Sequence, residues 1–148
     1  MQSTYDKIWS SAVSAITIRM MSIAELKKKL NTLFPEEEGQ VLKVLSEMER
    51  VELINDKRYA QQLVHHLTLR PIGRLKIMME ARKRGMDKDL MESILMESDY
   101  NEEENAKKAL EQKEATVHEE DPRKRKFKLM NFLRNRGFTD SVIYHVLK

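Results

Sequence analysis

The chain has 148 residues, of which 34% are charged and 6% aromatic, and its formal net charge is +3. It contains no cysteine, which excludes disulfides and thiolate metal sites and favours an intracellular location. No apolar run approaches the roughly 20 residues that a membrane-spanning helix needs, and the N-terminus lacks a basic segment with a cleavage site. We therefore expect a cytoplasmic protein with no membrane partner. Four glycines and three prolines in so charged a chain favour an all-α fold.

The first helices are predicted from apolar spacing and from their ends. Residues 3–20 carry Val13, Ile16 and Met20 at helical spacing, and Ser22 with Glu25 forms the capping-box pattern that begins a second helix. That second helix has Leu26, Leu30 and Leu33 as its inner stripe. A third helix is expected over residues 36–51, and a fourth begins with Asn55 or Asp56 as its N-cap and ends before Pro71.

A short motif then occurs twice, 52 positions apart. Arg84-Gly85-Met86 corresponds to Arg136-Gly137-Phe138, and such spacing indicates an internal repeat. A glycine in this position is typical of a helix end with a positive φ. Asp87 and Thr139 follow as predicted N-caps of the next helix. Each motif is followed by four apolar residues at helical spacing, which we expect to be buried: Leu90, Met91, Ile94 and Leu95 in one copy, and Val142, Ile143, Val146 and Leu147 in the other.

The remaining helices complete three similar units. Residues 101–115 are predicted to be helical, residues 116–122 form an acidic linker, and two more helices follow. The sequence thus predicts about nine helices in three tandem three-helix repeats that form an elongated, curved array. The repeats are expected at residues 1–54, where the copy is degenerate, at 55–98 and at 99–148.

Positive charge is concentrated in two of the predicted helices. Residues 70–88 carry seven cations against two acids, and residues 123–138 carry seven cations and no acid. Four of the latter begin a helix, where each opposes the helix dipole by roughly 0.3–1 kcal/mol, so helix stability does not explain them. The cations form either a solvated face or a surface for an acidic partner, which is nucleic acid or an acidic protein groove. The candidate partner-binding residues are Arg70, Arg74, Lys76, Arg82, Lys83, Arg84, Arg123, Lys124, Arg125, Lys126, Lys128, Arg134 and Arg136.

No pattern in the sequence indicates catalysis. The histidines are His65, His66, His118 and His145, and neighbouring helical residues point about 100° apart, so His65 and His66 do not share a metal. There is no Gly-rich phosphate loop and no nucleophile elbow. We expect neither an enzyme nor a cofactor or metal site. The ten methionines are typical of an adaptable binding groove or of flexible core filling, and their helical spacing favours the latter.

Three stretches together resemble the RecX family of bacterial RecA regulators. Residues 53–60 read Leu-Ile-Asn-Asp-Lys-Arg-Tyr-Ala and are similar to that family's Leu-Asp-Asp-x-Arg-Phe/Tyr-Ala segment. Arg70-Pro71-Ile72-Gly73, followed by the Arg-Gly-Met motif, is similar to its central Pro-x-Gly signature. Residues 126–138 resemble its C-terminal Arg-Gly-Phe copy.

The resemblance implies a monomeric, non-enzymatic regulator. Such proteins bind in the helical groove of the RecA filament on single-stranded DNA and limit its extension, ATPase, strand-exchange and co-protease activities. Weak contact with single- or double-stranded DNA is also expected. The alternative is a nucleic-acid-binding module in which the three-helix units act as helix-turn-helix domains and a basic helix lies on phosphates.

Overall fold

The computed structural model describes residues 2–148, and over that range it contains nine α-helices and no strand. The prediction of an all-α, nine-helix chain is therefore confirmed. Within the same residues no helix is long and apolar enough to cross a bilayer. The helices are α1 (Thr4–Ile18), α2 (Ile23–Leu33), α3 (Glu38–Arg50), α4 (Asp56–Leu67), α5 (Arg74–Lys83), α6 (Lys88–Glu97), α7 (Glu102–Glu114), α8 (Pro122–Asn135) and α9 (Asp140–Val146).

The helices pack in three groups of three. Among the described residues, all the extensive helix-to-helix contacts lie within α1–α3, within α4–α6 or within α7–α9, which we call units 1, 2 and 3. Each unit has its own buried cluster, exemplified by Leu26 and Met48 in unit 1, Ile77 and Met91 in unit 2, and Phe138 in unit 3. Full burial of such a side chain contributes about 1.5–3 kcal/mol, so each unit is held mainly by its own core.

The accessible surface agrees with this division. The chain exposes 9881 Å², whereas a single compact domain of 17.5 kDa would expose roughly 7,900 Å². The excess is what an extended series of small cores produces, because adjoining units cover little of each other's surface.

Helix ends confirm most of the predicted caps. The hydroxyl of Ser22 accepts from the Glu25 amide at 3.0 Å while Glu25 accepts from the Ser22 amide at 3.0 Å, so the capping box is present. Asn55 caps α4 and Asp87 caps α6. The capping hydrogen bond predicted for Thr139 is wrong. The residue occupies the N-cap position, but its side chain accepts no hydrogen bond from an amide of α9.

The predicted apolar stripes are only partly buried. In unit 1, Leu33 of α2 is 53% exposed, and Val13 and Met20 are also exposed. The buried residues of α1 are Ile8, Ala12 and Ala15 instead. In unit 2, Met91, Ile94 and Leu95 are buried as expected and Leu90 is half-buried. Of the four stripe residues predicted in unit 3, only Ile143 is fully buried, while Val142, Val146 and Leu147 are half-buried. The helix that carries them, α9, has only seven residues and so covers less of its unit than α6 does.

Gly85 and Gly137 have φ values of +69° and +87°, as their motif predicted. Both also lie where two units meet, which the sequence did not indicate. A Cβ built on Gly137 would lie 2.4 Å from the Lys76 Cβ, and one built on Gly85 would lie 2.5 Å from the Ala24 Cβ. Each glycine therefore serves a turn and a close approach between units at once.

The two junctions between units have the same construction. At the first, the Ser22 hydroxyl donates to the Arg84 carbonyl at 2.5 Å. The Ile23 amide donates to the Asp56 carboxylate at 2.9 Å. In both junctions, the middle helix of one unit directs the amides of its N-terminus at the next unit, whose first helix supplies a carboxylate.

At the second junction, backbone amides donate to the carbonyls of the next unit in place of the serine hydroxyl. The Gly73 amide donates to the Arg136 carbonyl at 2.8 Å and the Leu75 amide donates to the Gly137 carbonyl at 2.9 Å. The Arg74 amide donates to the Glu102 carboxylate at 2.7 Å. A Cβ on Gly73 would lie 2.1 Å from Gly137 backbone atoms, which accounts for the glycine of the Pro-x-Gly motif. Helix N-terminal amides lack partners within their own helix, and here the neighbouring unit supplies them.

Candidate partner-binding surface

The basic residues of α5 and its turn are largely engaged with acids of unit 2. Arg74 pairs with Glu92 of α6 at 3.0 Å, and Arg84 and Lys83 pair with Glu80 at 2.8 and 3.4 Å. The hydrogen bond from Arg84, the stronger of these contacts, holds the pKa of Glu80 below its usual value. Three of the predicted binding residues therefore also organise unit 2 itself.

The basic residues of α8 divide in the same way. Lys128 pairs with Glu119 at 3.0 Å and Arg134 with Asp140 at 3.1 Å. Arg125 donates to a backbone carbonyl of the preceding linker at 3.3 Å. Four cations at the start of α8 oppose the helix dipole. The negative charge of Asp121 partly offsets that cost, because its side chain accepts hydrogen bonds from the first amides of the helix. These intramolecular contacts explain part of the positive charge of α8 without a binding partner.

The remaining predicted residues make no ion pair with any residue from 2 to 148. They are Arg70, Lys76, Arg82, Arg123, Lys124, Lys126 and Arg136. Arg136 instead lies over the Phe132 ring, with its guanidinium carbon 4.9 Å from the ring centroid, a cation–π contact that fixes the side chain while retaining its charge.

Three of these cations converge where units 2 and 3 meet. Arg70 from the α4–α5 connection, Lys76 from α5 and Arg136 from the end of α8 line one cavity of about 560 Å³, together with His66 and Glu80. Its apolar lining is Leu67, Leu69 and Ile72. We call this the junction groove. Glu80 already binds Arg84 and Lys83, so the groove presents an excess of positive charge to a ligand.

The position of this groove depends on contacts at the second junction. The Tyr100 hydroxyl donates to the Ile72 carbonyl at 2.8 Å, and burial raises the pKa of that hydroxyl, so that it stays protonated. The Glu102 carboxylate receives the Arg74 amide on one oxygen and the Thr139 hydroxyl on the other, at 2.7 and 2.8 Å. These contacts tie the α4–α5 connection and α5 to unit 3.

The other cations lie elsewhere. Arg123, Lys124 and Lys126 are exposed at the beginning of α8, which we call the α8 N-terminal patch. Arg136 lies 13 positions after Arg123, so the start of the patch is roughly 20 Å from Arg136 of the junction groove along α8. Arg82 lines a different cavity, on the α6 side of α5. The predicted site is thus divided among three surfaces.

The sequence reasoning missed the junction carboxylates. Asp56 and Glu102 each follow the asparagine that caps its helix, Asn55 and Asn101, and this repeated Asn-acid pair was the available signal. Among the described residues, no group of three or more His, Cys, Asp or Glu side chains is placed to hold a metal ion.

An all-helical chain with three-helix units, joined twice in the same way, belongs to the class of helical-repeat proteins. Residues 55–95 match the second three-helix domain of RecX, and residues 101–147 match its third. The regulatory protein RecX of Pelodictyon phaeoclathratiforme is 32% identical over 138 residues, which are 93% of this chain and 84% of that protein. The RecX of Chlorobaculum tepidum is 30% identical, covering 84% of this chain and 76% of its own.

This chain belongs to the RecX family of regulatory proteins. Its fold agrees with that of the RecX crystal structure from Lactobacillus salivarius, with a TM-score of 0.81 over 97% of this chain and 94% of that one. At 21% identity this likeness concerns the fold alone. The family resemblance inferred from the three sequence motifs is confirmed.

Proposed function

We propose that this chain binds the RecA filament assembled on single-stranded DNA and limits its extension and its ATPase, strand-exchange and co-protease activities. Membership of a family of regulatory proteins supports a regulatory role. The observation that carries the proposal is the junction groove. Arg70, Lys76 and Arg136 come from three separate segments and meet in one cavity, and none of them forms an ion pair within residues 2–148.

The groove suits a partner that presents carboxylates or phosphates. Its charge is held on an apolar wall that includes Leu69, which is 69% exposed, so a protein surface with acidic and apolar residues would be complementary in both respects. A RecA filament offers acidic protein surface and DNA phosphates side by side. Cations at the rim of an interface act mainly on association rate and salt dependence.

The first experiment measures the ATPase of RecA on single-stranded DNA in the presence of this protein. We expect slowing at near-stoichiometric ratios. Arg70→Glu with Lys76→Glu should weaken inhibition by at least about tenfold, whereas the control pair Lys29→Glu with Lys43→Glu changes the net charge equally on exposed helix positions of unit 1 and should retain it. If RecA turnover is indifferent to the wild-type protein at several-fold molar excess, the proposed function is wrong.

A second candidate function is favoured by the α8 N-terminal patch. Arg123, Lys124 and Lys126 directly precede Phe127, which is 62% exposed, on the first turns of α8. Cations beside an exposed aromatic ring are typical of single-strand nucleic-acid binding. A module that binds nucleic acid directly would bind naked DNA tightly, with a steep salt dependence, and would not affect RecA once filament covers the DNA. Filament titrations with and without free DNA therefore separate the two functions.

The remaining features of the proposal concern organisation. We propose that the repeats are residues 1–54, 55–98 and 99–148 and that the protein acts as a cytoplasmic monomer without enzymatic activity. The placement of all extensive helix contacts of the described residues inside three groups supports such boundaries.

A further inference from the structure

A second groove lies between α5 and α6, where it reaches the edge of the core of unit 2. Its volume is about 660 Å³. Four of the ten methionines of the chain line it, namely Met78, Met79, Met86 and Met91. The helical spacing of the methionines favoured a role in filling the core. Met86 and Met91 have that role, because they are 7% and 0% exposed. The side chains of the outer wall of the groove do not.

The outer wall consists of apolar side chains without cover. Leu75 and Met79 lie one helical turn apart on α5 and are 56% and 46% exposed. They continue the apolar surface of the buried methionines out to solvent. Methionine is flexible and polarisable, so a groove built from it adapts to differently shaped apolar partners.

Basic side chains lie along one edge of the apolar surface. Arg74, Arg82 and Lys88 line the groove against a single carboxylate, Glu92, which is already paired with Arg74 at 3.0 Å. Arg82 and Lys88 form no ion pair with any residue from 2 to 148. They flank the α5–α6 turn, so the positive end of the groove is at that turn.

These features select one kind of occupant. The residues that line the groove include no aromatic side chain, whereas nucleic-acid binding by stacking depends on aromatic rings. The groove follows α5 from Arg74 to Arg82, which is about 12 Å or roughly two helical turns. A short amphipathic helix with apolar anchors one turn apart fits that length, and carboxylates beside those anchors would meet Arg82 and Lys88.

We propose that the α5–α6 groove, lined by Leu75, Met78, Met79, Met86 and Met91, is a docking site for an acidic amphipathic helix of a partner protein. The inference rests on the proposed function where it takes that partner to be part of the RecA filament. It adds a second contact surface, apolar at its centre, to the charged junction groove.

The filament arm of the test uses Leu75→Glu and Met79→Glu. Both side chains are exposed, so the substitutions leave the core intact while placing a carboxylate where the partner's apolar anchors and carboxylates would lie. Each variant should bind RecA filaments on single-stranded DNA at least about tenfold more weakly than the wild type. The control Met96→Glu, at an 87% exposed position of α6 outside the groove, should stay within about twofold.

The peptide arm does not depend on RecA. A synthetic helical peptide with leucines at i, i+4 and i+7 flanked by glutamates is titrated into protein carrying ¹³C-methyl methionine. Shifts at Met78, Met79, Met86 and Met91, without a shift at Met96, are the expected result. The same peptide with lysine in place of glutamate should bind at least about tenfold more weakly.

The two arms separate the two proposals. If wild-type protein inhibits RecA but Met79→Glu inhibits equally well, or if Met96→Glu is as impaired as Met79→Glu, the docking inference is wrong and the proposed function stands. If wild-type protein leaves RecA unaffected, the proposed function fails and the peptide arm decides the groove. Absence of methionine shifts with the glutamate peptide at millimolar concentration overturns the docking site.

Discussion

Gly85 is a position where one added methyl group tests the first junction between units. Its φ of +69° costs a residue with a Cβ about 1–2 kcal/mol. The added Cβ would lie 2.5 Å from the Cβ of Ala24, and the next nearest atom, the Ala24 Cα, is 3.9 Å away. Overpacking of this kind costs about 1–3 kcal/mol. We expect Gly85→Ala to lower the free energy of unfolding by about 2–5 kcal/mol in total.

The strength of the junction sets an upper limit on the steric part of that loss in unfolding free energy. Units 1 and 2 could separate and relieve the overlap at the expense of two hydrogen bonds, from the Ser22 hydroxyl to the Arg84 carbonyl and from the Ile23 amide to the Asp56 carboxylate. A neutral hydrogen bond contributes about 1 kcal/mol and one to a charged group about 1.5–3 kcal/mol. The steric cost therefore stays below about 4 kcal/mol.

A double-mutant cycle with Ala24→Gly isolates the contact. Ala24 is exposed in the first turn of α2, so Ala24→Gly alone should cost about 0.5–1 kcal/mol. In the double variant the overlap is absent, while the backbone strain at position 85 and the cost of glycine at position 24 remain, so the cycle gives a favourable coupling of about 1–3 kcal/mol. Urea denaturation followed by circular dichroism measures all four proteins.

Gly39→Ala is the matched control. An ideal Cβ at Gly39 has no atom within 4 Å, and the residue lies within α3. Removing a helical glycine there should raise the free energy of unfolding by about 0.5–1 kcal/mol. A loss below about 0.5 kcal/mol for Gly85→Ala, or additive effects in the cycle, would refute the contact between the glycine turn and α2.

Two further predictions concern the junctions. Tyr100→Phe removes the hydroxyl that donates to the Ile72 carbonyl and should cost about 0.5–1.5 kcal/mol in urea denaturation; an unchanged midpoint would contradict this role. Burial, the largest cause, raises the pKa of Asp56 above 3.8 despite the hydrogen bond from Ile23. The folded state thus favours the protonated form of Asp56. The stability that this preference contributes is lost as the pH rises through the folded pKa. Asp56→Asn keeps an acceptor that does not ionise, so its stability relative to wild type should increase from below pH 3.8 toward neutrality. A constant difference in unfolding free energy across a pH series would contradict the shift.

Local features of the fold could be predicted from the sequence because they depend on neighbouring residues. The capping box of Ser22 and the cap at Asp87 are formed within one helical turn. The positive φ of Gly85 and Gly137 follows from the way a helix ends. The repeat at 52 residues then implied that similar units recur.

The second role of the same residues was decided only by tertiary structure. Thr139 appeared in the sequence as a cap, yet its hydroxyl donates to Glu102, 37 residues away. Gly73 is required because the backbone at Gly137 occupies the space of a side chain. No local pattern encodes such contacts, since they depend on how one unit is placed against the next.

The same reason explains the candidate surfaces. The sequence alone identified the basic residues by their density in two helices, but it could not separate cations that pair with acids of their own unit, such as Arg84 with Glu80, from those left for a partner. Arg70 and Arg136 are 66 positions apart and line one cavity because the second junction brings the α4–α5 connection against the end of α8. Charge density is a property of the sequence, whereas the convergence of charge into a groove is a property of the packing between units.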